Sequence, residues 1–218
     1  MTLYLFVRML ILRLPMIYFR LSLVALVLSL VLLLPLPNAS AEDAKTEDTA
    51  KQYKWFFTLY GGPHAQPDLE HVALFDMSIE DDTYIVVAAL AREFWRYQDY
   101  ISFEAEGQLG KFFGQEHQGQ INALVIARWL KFPWDKYVDT SFAVGDGLSY
   151  NTEVSQVEKD DDEDAGHLLN YLLFEVTLGL PQYPRWDFVY RIHHRSGITG
   201  LIGDGGSNYP TIGFKYAF

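Results

Sequence analysis

The chain of 218 residues contains no cysteine. That excludes a disulfide framework, a thiolate nucleophile and a cysteine-based zinc site. After residue 41 no convincing helical period appears, and neither a Gly-x-Gly-x-x-Gly fingerprint nor a phosphate-binding P-loop is found. Basic residues are few: 17 Lys and Arg stand against 28 Asp and Glu, a net charge of −11. Residues 1–41 lack acidic residues altogether and carry Arg8, Arg13 and Arg20, so the remainder has a charge of −14. A chain this acidic is a poor nucleic-acid binder.

The first 41 residues have a composition of their own. An apolar run, "LSLVALVLSLVLLLPLP", follows the arginines and leads to Ala39-Ser40-Ala41 and then to an acidic stretch. This is the pattern of a secretory signal peptide covering 1–41, with Met16 as an alternative start. An uncleaved anchor is the competing reading, since the run is long enough to cross a bilayer. Residues 42–52, "EDAKTEDTAKQ", are polar and read as a flexible lead-in.

What fills residues 53–218 is aromatic and β-branched. The whole chain holds 15 Phe, 14 Tyr and 5 Trp. Eight segments of strand character follow one another, at 53–61, 83–94, 99–108, 118–130, 136–147, 167–180, 185–196 and 208–218. In 185–196 one parity is Trp186, Phe188, Tyr190, Ile192, His194 and Ser196. The other is Arg185, Asp187, Val189, Arg191, His193 and Arg195. In 208–218 Ile212, Phe214, Tyr216 and Phe218 share a face opposite Lys215.

Strands of about ten residues with one apolar and one charged face suit a closed barrel in lipid, which needs about 9–11 residues per crossing. Closure satisfies every backbone group, as lipid demands. The predicted fold is therefore all-β: an eight-stranded antiparallel transmembrane barrel over 53–218, in the outer membrane. With both termini periplasmic, links 2–3, 4–5 and 6–7 ("WRYQD", "KFPWD", "PQYP") are expected to be short and the other links longer. All five tryptophans then fall at one rim, as an interfacial belt. Glu175, Arg191 and Lys215 are expected to form an ion-pair network in a filled lumen. The acidic run 158–164, "EKDDDED", reads as a solvated loop, with a divalent-cation site as the sharper alternative. Residues 62–82 leave room for an extra element.

The stretch "RIHHRSG" carries the chemistry. His193 and His194 are adjacent, so on a strand they face opposite sides and do not share a metal. His193 goes to the lumen with Arg191 and Arg195. His194 and Ser196 share the apolar face, about 6.6 Å apart along the backbone. A histidine facing lipid is costly unless it has a task. A serine beside a histidine is the minimal unit of acyl transfer. Asn208, whose parity matches Ile212, is the candidate third member across the sheet; Pro210 threatens that parity by inviting a bulge, and Asp204, read as lying in the preceding loop, is the alternative. Gly197 is the candidate backbone donor to an oxyanion.

His194-x-Ser196 in the penultimate strand, the glycine-rich loop after it, the aromatic end Tyr216-Ala217-Phe218, and the segments "EAEGQLGKFFG" and "GDGLSY" resemble the lipid A 3-O-deacylase (PagL) family and its acyloxyacyl-hydrolase-like relatives. The resemblance covers most of 53–218. It implies an eight-stranded outer-membrane barrel with its site on the lipid-facing exterior. It implies His194 as base, Ser196 as nucleophile, and lipid A (lipopolysaccharide) as substrate, with no cofactor. The family's glutamate, twelve residues after the serine, falls at Asn208, a departure that predicts weaker or altered catalysis. The alternatives are a non-catalytic lipid A-binding or structural barrel, and a small transport barrel. A homodimer is left open.

Overall fold

The computed structural model describes residues 53–66, 69–79, 82–161, 165–198 and 202–218, with the side chains of 160–161, 198 and 202–204 excepted. The proposed leader and lead-in, 1–52, lie outside the described residues.

Eight strands close into one antiparallel barrel in sequence order. They are β1 (Trp55–Pro63), β2 (Thr83–Tyr97), β3 (Ile101–Gly114), β4 (Gly119–Trp129), β5 (Asp139–Asn151), β6 (Leu168–Gly179), β7 (Trp186–Ile198) and β8 (Ile202–Ala217). Two short helices sit between strands: α1 (Leu69–Ala73) and α2 (Gln156–Asp161). The seam is the β1–β8 ladder, in register from Phe56–Ala217 to Gly61–Ile212. No described helix is long and apolar enough to cross a membrane; the strands do so.

Side chains alternate strictly between the two faces. Outward lie Phe57, Leu59, Val86, Leu90, Ile121, Val125, Phe142, Leu148, Phe188 and Phe214, all exposed. A largely apolar exterior of this kind is stable only in lipid, and the protein is an outer-membrane barrel. Inward, buried apolar clusters such as Ile85, Val87 and Phe112 sit beside buried polar and charged residues. Arg191 bridges Glu106 at 2.8 Å and also pairs with Glu175. Arg128 reaches Glu104 at 2.6 Å and Glu175 at 2.8 Å, and Lys215 reaches Glu175 at 2.8 Å. In this network each buried charge is met by an opposite one, which is the condition for tolerating it. The expected network of Glu175, Arg191 and Lys215 is present and extends to Arg128, Glu104 and Glu106.

Trp55, Trp95, Trp129, Trp134 and Trp186 all lie at one end of the barrel, at strand termini or in the 130–138 link. Two expectations about the connections fail. Links 115–118 and 199–201 are short, and 130–138 is longer than either. The reason is that β3 and β8 run further than their composition suggested. β3 continues through Gly107 and Gly110 to Gly114, and β8 begins at Ile202 rather than near Asn208. Glycines that read as loop are absorbed into strands. The acidic run is also not simply solvated. Its first residue, Glu158 on α2, is buried at the barrel mouth, where its carboxylate meets Arg195 at 2.5 Å and accepts from Ser207 Oγ at 2.9 Å. Residues 162–164 lie outside the described residues.

Candidate active site

β7 and β8 pair in unbroken register from Trp186–Tyr216 to Ser196–Gly206. This places Asn208 directly opposite His194, and Gly206 opposite Ser196. Pro210 does not shift the parity; it sits in register with Ile192. The interruption that a proline demands falls on the other side. There the β1–β8 ladder stops at Gly61–Ile212 and resumes only as the single Ala65–Asn208 bridge.

His194 Nδ1 donates to Asn208 Oδ1 at 2.7 Å. An amide oxygen can only accept, so this bond puts the imidazole proton on Nδ1 and leaves Nε2 with a lone pair. A general base acting on a nearby hydroxyl needs that tautomer. Ser196, two residues on along the same face, is half-buried, as is His194. The backbone separation of about 6.6 Å is within reach of an imidazole. Two of the three candidate residues are therefore hydrogen-bonded, and the third stands on the same face beside them.

Asp204, the alternative orienting acid, belongs to the backbone of β8 and not to a loop as its glycine-rich surroundings suggested. Its side chain lies outside the described residues. Gly197 sits where regular pairing breaks: after Ser196–Gly206 the register jumps to Ile198–Ile202. Gly205 takes up the break with φ of +97°, a left-handed backbone that suits glycine. Gly197 is thus out of the ordinary ladder next to the serine.

The opposite face of the same residues is packed, not catalytic. His193 is buried in the lumen, its Nδ1 2.9 Å from Tyr171 Oη and 3.2 Å from Tyr60 Oη. Arg195 and Ser207, the inward neighbours of His194, Ser196 and Asn208, are joined through Glu158. That carboxylate ties β7 to β8 from inside, directly behind the site. Among the described residues no cluster of three or more His, Asp or Glu could hold a metal ion.

Two polar residues of the outer wall, one of them opposite the serine, were not singled out by sequence reasoning. Asn170 on β6 lies opposite Ser196, and its Nδ2 donates to Asp146 Oδ1 at 2.9 Å and to the Gly147 carbonyl at 3.1 Å. With Ser196, His194 and Asn208 these two form a polar island on an otherwise apolar wall. Asn170 shares the parity of Leu168 and Leu172, and one amide on a lipid-facing row was the available signal.

No family model matches the chain, and no curated protein does. Among solved structures, the outer membrane enzyme PagL aligns with a TM-score of 0.46 at 11% identity, over 75% of this chain and 99% of that one. Neisserial surface protein A (NspA) aligns with a TM-score of 0.48 at 10% identity, over 75% of this chain and 96% of that one.

Proposed function

We propose that the protein is an outer-membrane serine esterase that hydrolyses an ester-linked acyl chain of lipid A, as the sequence resemblance to the 3-O-deacylases implies. The observation that carries this reading is the His194–Asn208 hydrogen bond on the outer face, with Ser196 on the same face. On the outer wall Asn208 is buried and His194 half-buried, and a polar pair withdrawn from water costs stability to keep there.

His194 Nε2 takes the proton of Ser196 Oγ as the oxygen attacks the ester carbonyl. The tetrahedral oxyanion collapses, and the sugar oxygen leaves with the proton from Nε2. Water, deprotonated by His194, then attacks the acyl-serine and releases the fatty acid. Gly197 N–H is the donor proposed for the oxyanion. Asn208 holds the imidazole in its reactive tautomer. It brings no negative charge to offset the imidazolium, and turnover is correspondingly slower than with a carboxylate there.

That missing charge also favours a second reading, a barrel that binds lipid A without cleaving it. Mass spectrometry of lipid A from a Gram-negative host expressing the protein separates the two. Loss of one hydroxyacyl mass with the parent, and its retention with Ser196→Ala and with His194→Asn, supports the esterase. Unchanged lipid A beside folded parent protein in the outer membrane sinks it.

A further inference from the structure

The segment between β1 and β2, described over 64–66 and 69–79, packs against the outer wall of the barrel. It leaves β1 through Ala65, whose N–H donates to the Asn208 carbonyl at 2.9 Å. It then folds back on itself, Gln66 and Ser78 exchanging two backbone bonds of 3.0 Å. Between these points α1 lies down against the outer wall. Ile192 points outward from β7 yet is only 5% exposed, because Ala65 and Val72 cover it. Leu69, Met77, Phe174 and Tyr190 pack around that contact. Phe75 stacks on Tyr190, ring centroids 5.5 Å apart. The segment therefore occupies wall that lipid would otherwise cover.

Its outer side is amphipathic. Leu74 is 71% exposed, Phe75 58% and Ile79 52%, while Glu70, His71 and Asp76 are exposed beside them. Phe75 holds φ at +59°, a left-handed backbone that bulky residues rarely adopt. The exposed phenyl ring is unfavourable in water and favourable against hydrocarbon. The apolar exposure also runs on from Phe75 through Tyr190 to Phe188 and Phe214, part of the barrel's lipid-facing surface. Apolar residues mixed with charged ones are what an element at the boundary of headgroups and acyl chains presents.

We propose that residues 65–66 and 69–79 form a lipid clamp, in which Leu74, Phe75 and Ile79 seat on the acyl chains of an outer-leaflet lipid beside the His194–Asn208 pair. Asn208 joins the two, its side chain held by His194 and its carbonyl by Ala65. That the clamped lipid is the substrate rests on the esterase reading; the lipid contact itself does not.

The test places a reporter in the clamp. All five native tryptophans lie at strand termini of one end or in the 130–138 link, so Phe75→Trp in the full chain adds a sixth emitter, read as a difference from the parent. Leu74→Trp is a second reporter. The proteins are folded into phosphatidylcholine vesicles with or without bromine on the upper acyl carbons. Quenching of the added emission by brominated lipid, with protection from aqueous iodide, supports the clamp. Quenching by iodide and not by brominated lipid overturns it. Next, Leu74→Ser/Phe75→Ser/Ile79→Ser protein is assayed for lipid A deacylation. A several-fold rise in KM with kcat retained supports a clamp that holds substrate, and an unchanged KM overturns that role. If the reporter is lipid-quenched while the parent cleaves nothing, the clamp stands and the esterase reading fails.

Discussion

His194 and Asn208 face each other across β7 and β8, and the imidazole Nδ1–H donates to the amide oxygen at 2.7 Å. The bond does two separable things, setting the tautomer and supplying polarity. Asn208→Ala removes both and is expected to lower lipid A deacylation roughly ten- to hundredfold, the worth of a hydrogen bond to a group that becomes charged. Asn208→Glu keeps the acceptor and adds the charge, and is expected to exceed the parent. Rates on purified lipid A in detergent micelles check both. A parent rate unaffected by Asn208→Ala would remove this residue from the site.

Arg191 is fully buried and lies between Glu106 and Glu175, with the Tyr60 ring 4.5 Å from its guanidinium carbon. Arg191→Ala leaves two carboxylates in the lumen short of a partner. A loss of about 3–5 kcal/mol is expected, as for any buried pair broken from one side. Urea titration, read as the shift between folded and unfolded bands on unheated gels, measures it. A midpoint like the parent's would mean that water or neighbouring cations replace the guanidinium.

Burial pushes the Glu158 carboxyl above the ordinary carboxylate range, and Arg195 offsets this only in part. A folded-state value raised in this way means that the folded protein holds the proton more tightly than the unfolded one. This group's stabilising contribution is then fully present below the ordinary carboxylate value and is lost as pH rises through the raised one. Acidification is therefore not expected to free α2, and Glu158→Gln, which mimics the protonated form, is expected to be milder than Glu158→Ala. Limited proteolysis within 152–167 across pH 5 to 8 reports it. Faster cleavage at low pH would reverse the sign.

The eight strands were legible because β-branched and aromatic segments follow one another and several of them alternate in polarity, most plainly Trp186 to Ser196. The same parity argument put His194, Ser196 and Asn208 on one face, and the structure places them there. Glycine hid the rest. Gly203, Gly205 and Gly206 read as loop, yet β8 runs through them and takes Asp204 with it. Glu158 gave no local sign of burial, because its partner Arg195 is far away in sequence and the acids around it suggest solvent. The clamp was equally hidden: Val72 and Ile192 meet only after the barrel has closed.

The break in pairing after Ser196 falls at Gly197, the edge of the proposed site. Facing alternates every residue, so a one-residue slip between Arg191 and Thr211 would exchange interior and exterior. His193 and Tyr209 would meet lipid, and His194 and Asn208 would enter the lumen among the ion pairs. Mutational scans should therefore show a parity rule in this hairpin. Single insertions below Ser196 would disrupt folding and the proposed site together, whereas length changes beyond Gly197 and before Gly205 would be absorbed where the ladder is already irregular.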